Sequence, residues 1–592
     1  MLYVSWFKWA NVQIDFGREL YTAWRLTEGD LLVRDIYRTF GPLSDYWNAL
    51  MFSLFGVSIK TLFFVNLAIY AAIVTLTMLL LKKAFGFFPA IMASIMGVLI
   101  FGFSDFDYWG CMNYIAPYSH GVTHGMLLLL LLMAWIVYCP QDEKYSGIPE
   151  GVLFGLLCLT KIEFVFSGGI IIAISSLRNI TINGRSGVFF LIKTIVTAAL
   201  LLLGTWGIFC IDLTPGEAME AAWACFLIFQ TSAISTPFQR EMLGVDNIGG
   251  NLLRHLLAVG VAACMLGGPA ILLRFLNKKH YVFAVPLVFI AVVSVCVNLE
   301  WRNIGYVLIG ILLISGIYTI YKIRAENCSR QTGIRAAVIS VFATRSSLWA
   351  RLVLIAGALA MLARMPLHTR IYHYGFYQAM LAGVVCFAFA IGVIPRLAGK
   401  CHKARVLLFC VVTVALGIGS LQLVSLNKFQ YKKRNVLLDE SLGSLIVDDY
   451  RFSPAPTLMG AAAKYLEPVV KKDDRLMVLP EGVMLNYWLR LKGGTPMVSY
   501  TPEIYIPQKE TIWNYLLKTP PKYVVGVTRM SIREYGIPYY GYDNDSGKEL
   551  INWIYKNYDV MHQLGGYPFG GRRFGLIIYI HKNAKLEETK NL

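Results

Sequence analysis

Apolar runs of membrane-spanning length recur along the first 425 residues, and charged positions fall almost wholly between them. The runs lie at 61–81, 86–103, 122–139, 187–211, 251–275, 281–299, 303–321, 349–364, 371–394 and 404–425. Each is close to the roughly 17–25 residues that a helix needs to cross hydrocarbon. The stretch 150–177 is also apolar, but Lys161 and Glu163 stand in its middle. A charge at mid-span costs roughly 2.5–3.5 kcal/mol. The pattern therefore predicts two short helices meeting at a polar elbow, Lys161-Ile162-Glu163. Residues 1–56 are amphipathic and aromatic, with too many charges to span. After residue 426 the period changes. DRLMVLP, TPMVSY, YVVGVT and FGLIIYI read as strands, 454–470, 508–518 and 547–558 as helices, and GGYPFGGRRFG (565–575) as a hairpin turn. The expected fold is a polytopic α-helical membrane protein of about twelve spans with a C-terminal extracytoplasmic α/β domain. Its parts are a first extracytoplasmic loop (1–60), a transmembrane domain (61–425) and a soluble domain (426–592).

Charge fixes the orientation of this pattern. The chain of 592 residues is only 15% charged, yet its net charge is +18. Lys82-Lys83, Arg178 with Arg185, Lys278-Lys279, the basic 322–351 loop and the 396–405 loop carry much of that excess, which is a positive-inside distribution. The basicity is thus read as topology and attraction to anionic lipid, not nucleic-acid binding. With those loops cytoplasmic, alternation puts 1–60, 104–121, the elbow, 212–250, 300–302, 365–370 and 426–592 together on the other side. All the basic loops land inside only if 150–177 crosses twice. The opening sequence MLYVSWFKWANVQIDFGRELY has no signal-peptide pattern. Most of the eleven cysteines sit in apolar runs and none lies beyond residue 426, which excludes a disulfide-stapled exported domain.

The candidate chemistry gathers on the external face. The first loop holds Asp15, Arg18, Glu19, Arg34, Asp35 and Asp45. The second, SDFDYWGCMNYIAPYSHGVTHG, holds Asp105, Asp107, Asn113, His120 and His124. The elbow adds Lys161 and Glu163. RMPLHTRIYHYGFY adds Arg364, His368, Arg370, Tyr372, His373 and Tyr374. Carboxylates supply a general base or metal ligands, cationic side chains counter a phosphate, and aromatic rings offer faces to sugars. Each group also has a plainer reading. External acids are solvated, and Asp15, Arg18 and Glu19 sit at spacings of a helical ion pair. Lys161 and Glu163 could close the elbow as a structural pair. His120 and His124, four apart, could ligate a metal, but no third ligand is evident.

The segment DFGRELYTAWRLTEGDLLVRDIYRTFGPLSDYWNALMFSLFG (15–56) resembles the first periplasmic loop of the GT-C glycosyltransferases, polytopic enzymes that use polyprenyl-phosphate sugars. The superfamily includes protein O-mannosyltransferases and the lipid A aminoarabinose transferase. GLLCLTKIEF (155–164) is similar to the family's broken helix pair. NYIAPYSHGVTHG, YHYGFY and VLPEGVMLNYWLR resemble segments of a bacterial family 39-like subgroup. The resemblance implies Asp15 as the residue acting on the acceptor, or helping to hold a divalent metal. It implies Asp107, or else Asp105, as the second-loop acid. Glu19 joins Asp15 and Asp107 as a candidate catalytic carboxylate. Arg364, His368, Arg370 and Lys161 are the candidates for the donor phosphate. The pattern departs from the family in two places: no span precedes the Asp15 segment, and Phe16 follows Asp15 where the O-mannosyltransferases have an adjacent acidic pair.

What the resemblance implies is inverting transfer of a sugar from a polyprenyl-phosphate donor to a hydroxyl of a lipid, glycan or protein acceptor. The setting would be a bacterial inner membrane, with the site facing the periplasm. The rival readings are a transporter or flippase of lipid-linked saccharide, and a non-catalytic membrane scaffold. The first fits less well with polar residues concentrated at one face.

Overall fold

The computed structural model describes all residues except 107–111, 140–146, 230–236, 270–280, 328–345, 399–401, 530–531, 572 and 586–592. Among the described residues, eight helical segments are long and apolar enough to cross a membrane. They are Ile59–Phe85, Gly121–Tyr138, Ile162–Asn183, Arg185–Phe209, Pro237–Met265, Trp301–Ala325, Gly375–Leu397 and Ala404–Lys432. Four shorter apolar helices, Phe87–Gly102, Ile148–Cys158, Pro286–Asn298 and Ser346–Leu362, stand in the gaps, so eight plus four give twelve. Large apolar side chains remain exposed on the outer helices, among them Leu200, Ile208, Leu256, Leu287, Ile317 and Leu421. In a water-soluble protein such surface would be an interaction patch; on twelve apolar helices it is the lipid-facing wall. Gly375–Gly392 is buried along its whole length and forms the centre of the bundle.

The elbow exists, but its two arms are unequal. Ile148–Cys158 is a short helix of 11 residues, whereas Ile162–Asn183 has 22 and is long enough to span by itself. The helix 402–432 runs seven residues past the end of its apolar pattern at 425.

Several of the segments that the charge pattern puts outside meet one another. The Gly41 and Leu43 amides bond the elbow, the His120 amide bonds Glu19, Arg364 pairs with Glu163, and Tyr37 bonds Pro496 of the soluble domain. Basic segments meet each other at the other end of the bundle, where Arg351 donates to the Ala84 carbonyl and Arg178 lies over Trp349.

The soluble domain has a small antiparallel pair, β1 (Arg434–Leu437) with β2 (Ile446–Asp448), and a mixed four-stranded sheet. The sheet contains β3 (Leu476–Leu479), β4 (Tyr523–Val527), β5 (Tyr558–Gly565) and β6 (Gly575–His581), in the order β3-β4-β6-β5. The β3–β4 pair is parallel; β4–β6 and β5–β6 are antiparallel. β3 and β4 are buried at every position, as expected of strands covered on both faces. Helices Ala455–Leu466, Lys509–Lys518 and Lys548–Asn557 pack around them. The glycine-rich segment is the β5–β6 hairpin connection, closed by the pairing of Gly565 with Gly575. TPMVSY is not a strand: Thr495 Oγ1 accepts from its own Met497 amide, and the Pro496 carbonyl accepts from Tyr37 of the first loop. Its hydrogen bonds leave the sheet, and β5 takes the fourth place.

Candidate functional site

The site starts where the chain breaks between two membrane helices. Ending a helix at Cys158 frees carbonyls that lipid cannot satisfy. The first loop satisfies them: the Gly41 amide donates to Thr160 O (2.9 Å) and the Leu43 amide to Leu159 O (3.1 Å). The approach is so close that a Cβ on Gly41 would lie 2.3 Å from the Leu159 carbonyl oxygen. The GP step of the first loop is therefore the plug of the elbow.

The plug turns Lys161 inward. It is extended (φ −125°, ψ 146°), only 3% exposed, and its Nζ lies 3.7 Å from the Phe40 ring centre and 4.9 Å from that of Tyr118. It makes no ion pair among the described residues, and burial pulls its pKa down while Tyr118 pulls it back up. Glu163, two residues on, is taken by Arg364 and by the Tyr377 hydroxyl, which donates at 3.1 Å. Its other oxygen, Oε2, is buried and has no hydrogen-bond partner among the described residues. Tyr118 and Tyr377 share a hydrogen bond (3.3 Å), and Gln378 donates to Tyr377 (3.0 Å). The result is a cationic cluster among aromatic rings: buried Lys161 and half-buried Arg364 among Phe40, Tyr118, Tyr374 and Tyr377.

The charge of Asp15 also reaches Tyr374. Asp15 is the central residue of a γ-turn, with φ +68° and ψ −64° and a bond from the Phe16 amide to Ile14 O (2.8 Å). That turn is rare and strained for a residue with a side chain. Its carboxylate is ion-paired with Arg18. Burial nevertheless pushes its pKa up to about 6, with Arg18 opposing and Glu481 and Glu534 adding to the rise. Tyr374 connects the two groups: its ring is 4.9 Å from Tyr118, and the charges of both Asp15 and Arg364 act on its hydroxyl.

The other first-loop acids have a structural task. Glu19 and Asp45, both fully buried, clasp Arg38 at 2.8 and 3.0 Å. Glu19 also accepts from the His120 backbone amide (3.1 Å). Burial opposes the charge on Glu19, but Arg38 and His120 hold it below the usual carboxylate range; Asp45 is raised by burial and by Glu19. His120 bonds Asn48 through Nδ1, and burial lowers its pKa to about 4, so the ring is neutral. His124 bonds Ser44 at 3.0 Å. These contacts lock the first loop to the second.

The remaining candidates lie apart. Asp105 pairs with Arg434 at the head of β1 (2.9 Å), and Asn113 holds the Trp9 carbonyl and the turn at 115–116. Arg34 and Asp35 form an exposed pair at the rim. His368 bonds Glu241 O and stacks on Tyr306, while Arg370 is buried beside Tyr372 and Met242. The Tyr372 ring lies under Arg302, and His373 packs on Tyr374 with φ +52°. Asp107 lies outside the described residues. The structure thus brings Asp15, Arg18, Lys161, Glu163, Arg364 and Tyr374 together and leaves Asp105, His368 and Arg370 elsewhere. Among the described residues no group of three or more His, Cys, Asp or Glu is placed to hold a metal ion. Among the described residues, the carboxylates near Asp15 are matched with arginines.

Sequence reasoning passed over Tyr118, Tyr377, Phe40 and Arg38, although the first two lie within the NYIAPYSHG and YHYGFY segments. Aromatic residues in apolar surroundings look like packing until a buried cation is found against them.

No protein-family model matches this chain, and neither does any curated protein. Solved structures do. ArnT from Cupriavidus metallidurans bound to undecaprenyl phosphate is similar over 98% of this chain and 96% of its own, at 10% identity and a TM-score of 0.48. The Archaeoglobus fulgidus oligosaccharyltransferase tethered with an acceptor peptide containing the NVT sequon is similar over 98% of this chain and 71% of its own, at 13% identity and a TM-score of 0.45. The same oligosaccharyltransferase in complex with Zn and sulfate covers 84% of this chain and 60% of its own, at 14% identity and a TM-score of 0.40. Identities this low transfer no residue roles, so the chemistry is argued from this chain's own side chains.

Proposed function

We propose that this protein is a membrane glycosyltransferase that moves a sugar from a polyprenyl-phosphate donor to an acceptor hydroxyl. The observation that carries the reading is Lys161: a buried cation with aromatic walls and, among the described residues, no carboxylate partner, next to Arg364, which with Asp15 acts on Tyr374. A buried charge without a counter-ion is costly, and an anionic ligand removes the cost. A phosphate on a lipid tail suits the place, because Lys161 stands at the break between two apolar helices, Ile148–Cys158 and Ile162–Asn183. The first-loop resemblance to GT-C enzymes points to the same chemistry.

In this mechanism Lys161 and Arg364 hold the donor phosphate and stabilise the charge left on it as the sugar departs. Arg364 leaves Glu163 in part to do so, while Tyr377 keeps that carboxylate hydrogen-bonded. Asp15, ionised above about pH 6, accepts the proton of the acceptor hydroxyl as its oxygen attacks the anomeric carbon from the face opposite the phosphate. Phe40, Tyr118 and Tyr374 line the space between the two groups and keep water from competing. The setting is a bacterial inner membrane, with the elbow, the first loop and the soluble domain in the periplasm.

The test is transfer in proteoliposomes from a polyprenyl-phosphate sugar. Wild type transfers, and Asp15→Asn is silent at equal expression and equal melting temperature. Full activity of Asp15→Asn removes Asp15 from the mechanism. No transfer by wild type from any such donor removes the enzyme reading.

A further inference from the structure

The soluble domain meets the first loop at Asp15 itself. Gln13 Nε2 donates to Thr528 O (2.8 Å), which sets the next residue, Arg529, beside the Asp15 turn. On the other side the start of helix Phe16–Thr27 packs on the backbone at 484. A Cβ on Gly17 would lie 2.7 Å from the Met484 amide nitrogen, so only glycine permits this approach. Asp15 is therefore gripped between two segments of the soluble domain, 481–484 and 528–529.

Those two segments carry charges that pair with each other. Arg529 Nε donates to Glu481 at 2.6 Å, and its NH2 donates to Glu534 at 2.6 Å. Arg529 and Glu481 are nearly buried, with side chains 10% and 9% exposed. Glu534 comes from the short helix Ile532–Tyr535. The groups acting on Asp15 are Arg18 from its own helix and Glu481, Arg529 and Glu534 from the soluble domain; Tyr374 faces it from the bundle. Glu503 adds to the field on Glu481's side.

We propose that Glu481, Arg529 and Glu534 of the soluble domain are positioning residues for Asp15, so that docking of this domain sets the carboxylate's orientation and proton affinity and completes the site. The inference rests on Asp15 as the group that acts on the acceptor. It gives the domain a part in the chemistry beyond covering the cavity. An Asp15–Arg18 pair alone would hold the carboxylate ionised and quiet. Two further carboxylates on one guanidinium raise its basicity without leaving any of the three unpaired. Burial and these neighbours bring Asp15 to about 6 and Glu534 to about 7, close to the working pH of a general base.

The full-length protein tests this in two ways. Infrared titration, with the Asp15→Asn spectrum subtracted, follows the Asp15 carboxyl, and sugar transfer against pH follows its use. Glu481→Gln and Glu534→Gln each remove a negative neighbour. The carboxyl titration and the acidic limb of the transfer profile should both move to lower pH, by about half a unit to one unit, with the donor KM unchanged. Arg529→Met removes the positive neighbour and should move both to higher pH, while Arg529→Lys restores most of the wild-type position. A carboxyl titration unmoved in all of these variants, at unchanged melting temperature, overturns the inference. If the titration moves as stated but Asp15→Asn transfers at the wild-type rate, the assignment of Asp15 as base falls, and the positioning role with it.

Discussion

Arg364 and Glu163 form an ion pair across the elbow, leaving Lys161, two residues before Glu163, without an acidic partner of its own among the described residues. The pair explains how two cations and one carboxylate coexist at a helix break inside a membrane protein. Glu163 balances one of them, and the cluster keeps a net positive charge. The orphaned Oε2 of Glu163 fits the same arrangement, since a partner arriving with the ligand, such as a sugar hydroxyl, can satisfy it.

If that charge serves the donor phosphate, Lys161→Ala should raise the donor KM at least tenfold and lower transfer at saturation. Lys161→Arg should recover part of the binding. Because an unpaired buried lysine costs stability, Lys161→Ala should melt no lower than wild type in detergent, which thermal unfolding checks.

Transfer should also depend on pH in one direction at its acidic end. The Asp15 carboxyl is raised to about 6 by burial, against the pull of Arg18. Its base form is lost as pH falls through that value, so kcat/KM should drop tenfold per pH unit below about 5. The raised pKa means that the charged form is disfavoured by folding. Its stabilising effect is thus present at low pH and lost as pH rises through about 6. A flat profile between pH 5 and 8 would show that another group is the base.

The clasp of Arg38 by Glu19 and Asp45 makes a different prediction. Removing one member leaves a buried charge unmatched, so Arg38→Met or Glu19→Gln should cost about 3–5 kcal/mol. Arg34→Gln, at the exposed rim, should cost under about 1 kcal/mol. Thermal unfolding of the purified variants measures both. Equal effects at the two sites would mean that the clasp is not what fastens the first loop.

Gly41→Ala tests the plug. The added Cβ meets the Leu159 carbonyl, a backbone group that has nowhere to go. The expected cost is about 1–3 kcal/mol with loss of transfer in step, as the elbow and Lys161 shift together.

Topology is open to the same kind of check. In a background without cysteines, Arg34→Cys and Arg451→Cys should react with an impermeant maleimide from one side of the membrane, and Arg185→Cys from the other. Labelling of Arg34→Cys and Arg451→Cys from opposite sides would separate the first loop from the soluble domain, which their contacts forbid.

The helix pattern was legible because hydrocarbon imposes one rule on every span. The elbow was legible because Lys161 and Glu163 break that rule in the middle of a run. What stayed hidden is non-local. Nothing near Glu19 or Asp45 announces that Arg38 will take both, so two acids that read as candidate chemistry turn out to hold the loop in place. The partners of Asp15 lie more than 460 residues away, at Glu481, Arg529 and Glu534, and no periodicity links them. TPMVSY read as a strand because its residues suit one, yet its hydrogen bonds go to Tyr37 of the first loop, to the Pro480 carbonyl and within the segment itself. Asp105 showed the same limit: an acid beside an aromatic loop, taken by Arg434 of a strand that the sequence alone did not place.

The most direct measurement is binding of a polyprenyl phosphate without its sugar, by native mass spectrometry or titration calorimetry of the detergent-solubilised protein. The account predicts that wild type and Asp15→Asn bind it alike, while Lys161→Ala binds at least tenfold more weakly. Undiminished binding by Lys161→Ala would contradict the claim that the elbow is where the lipid phosphate sits.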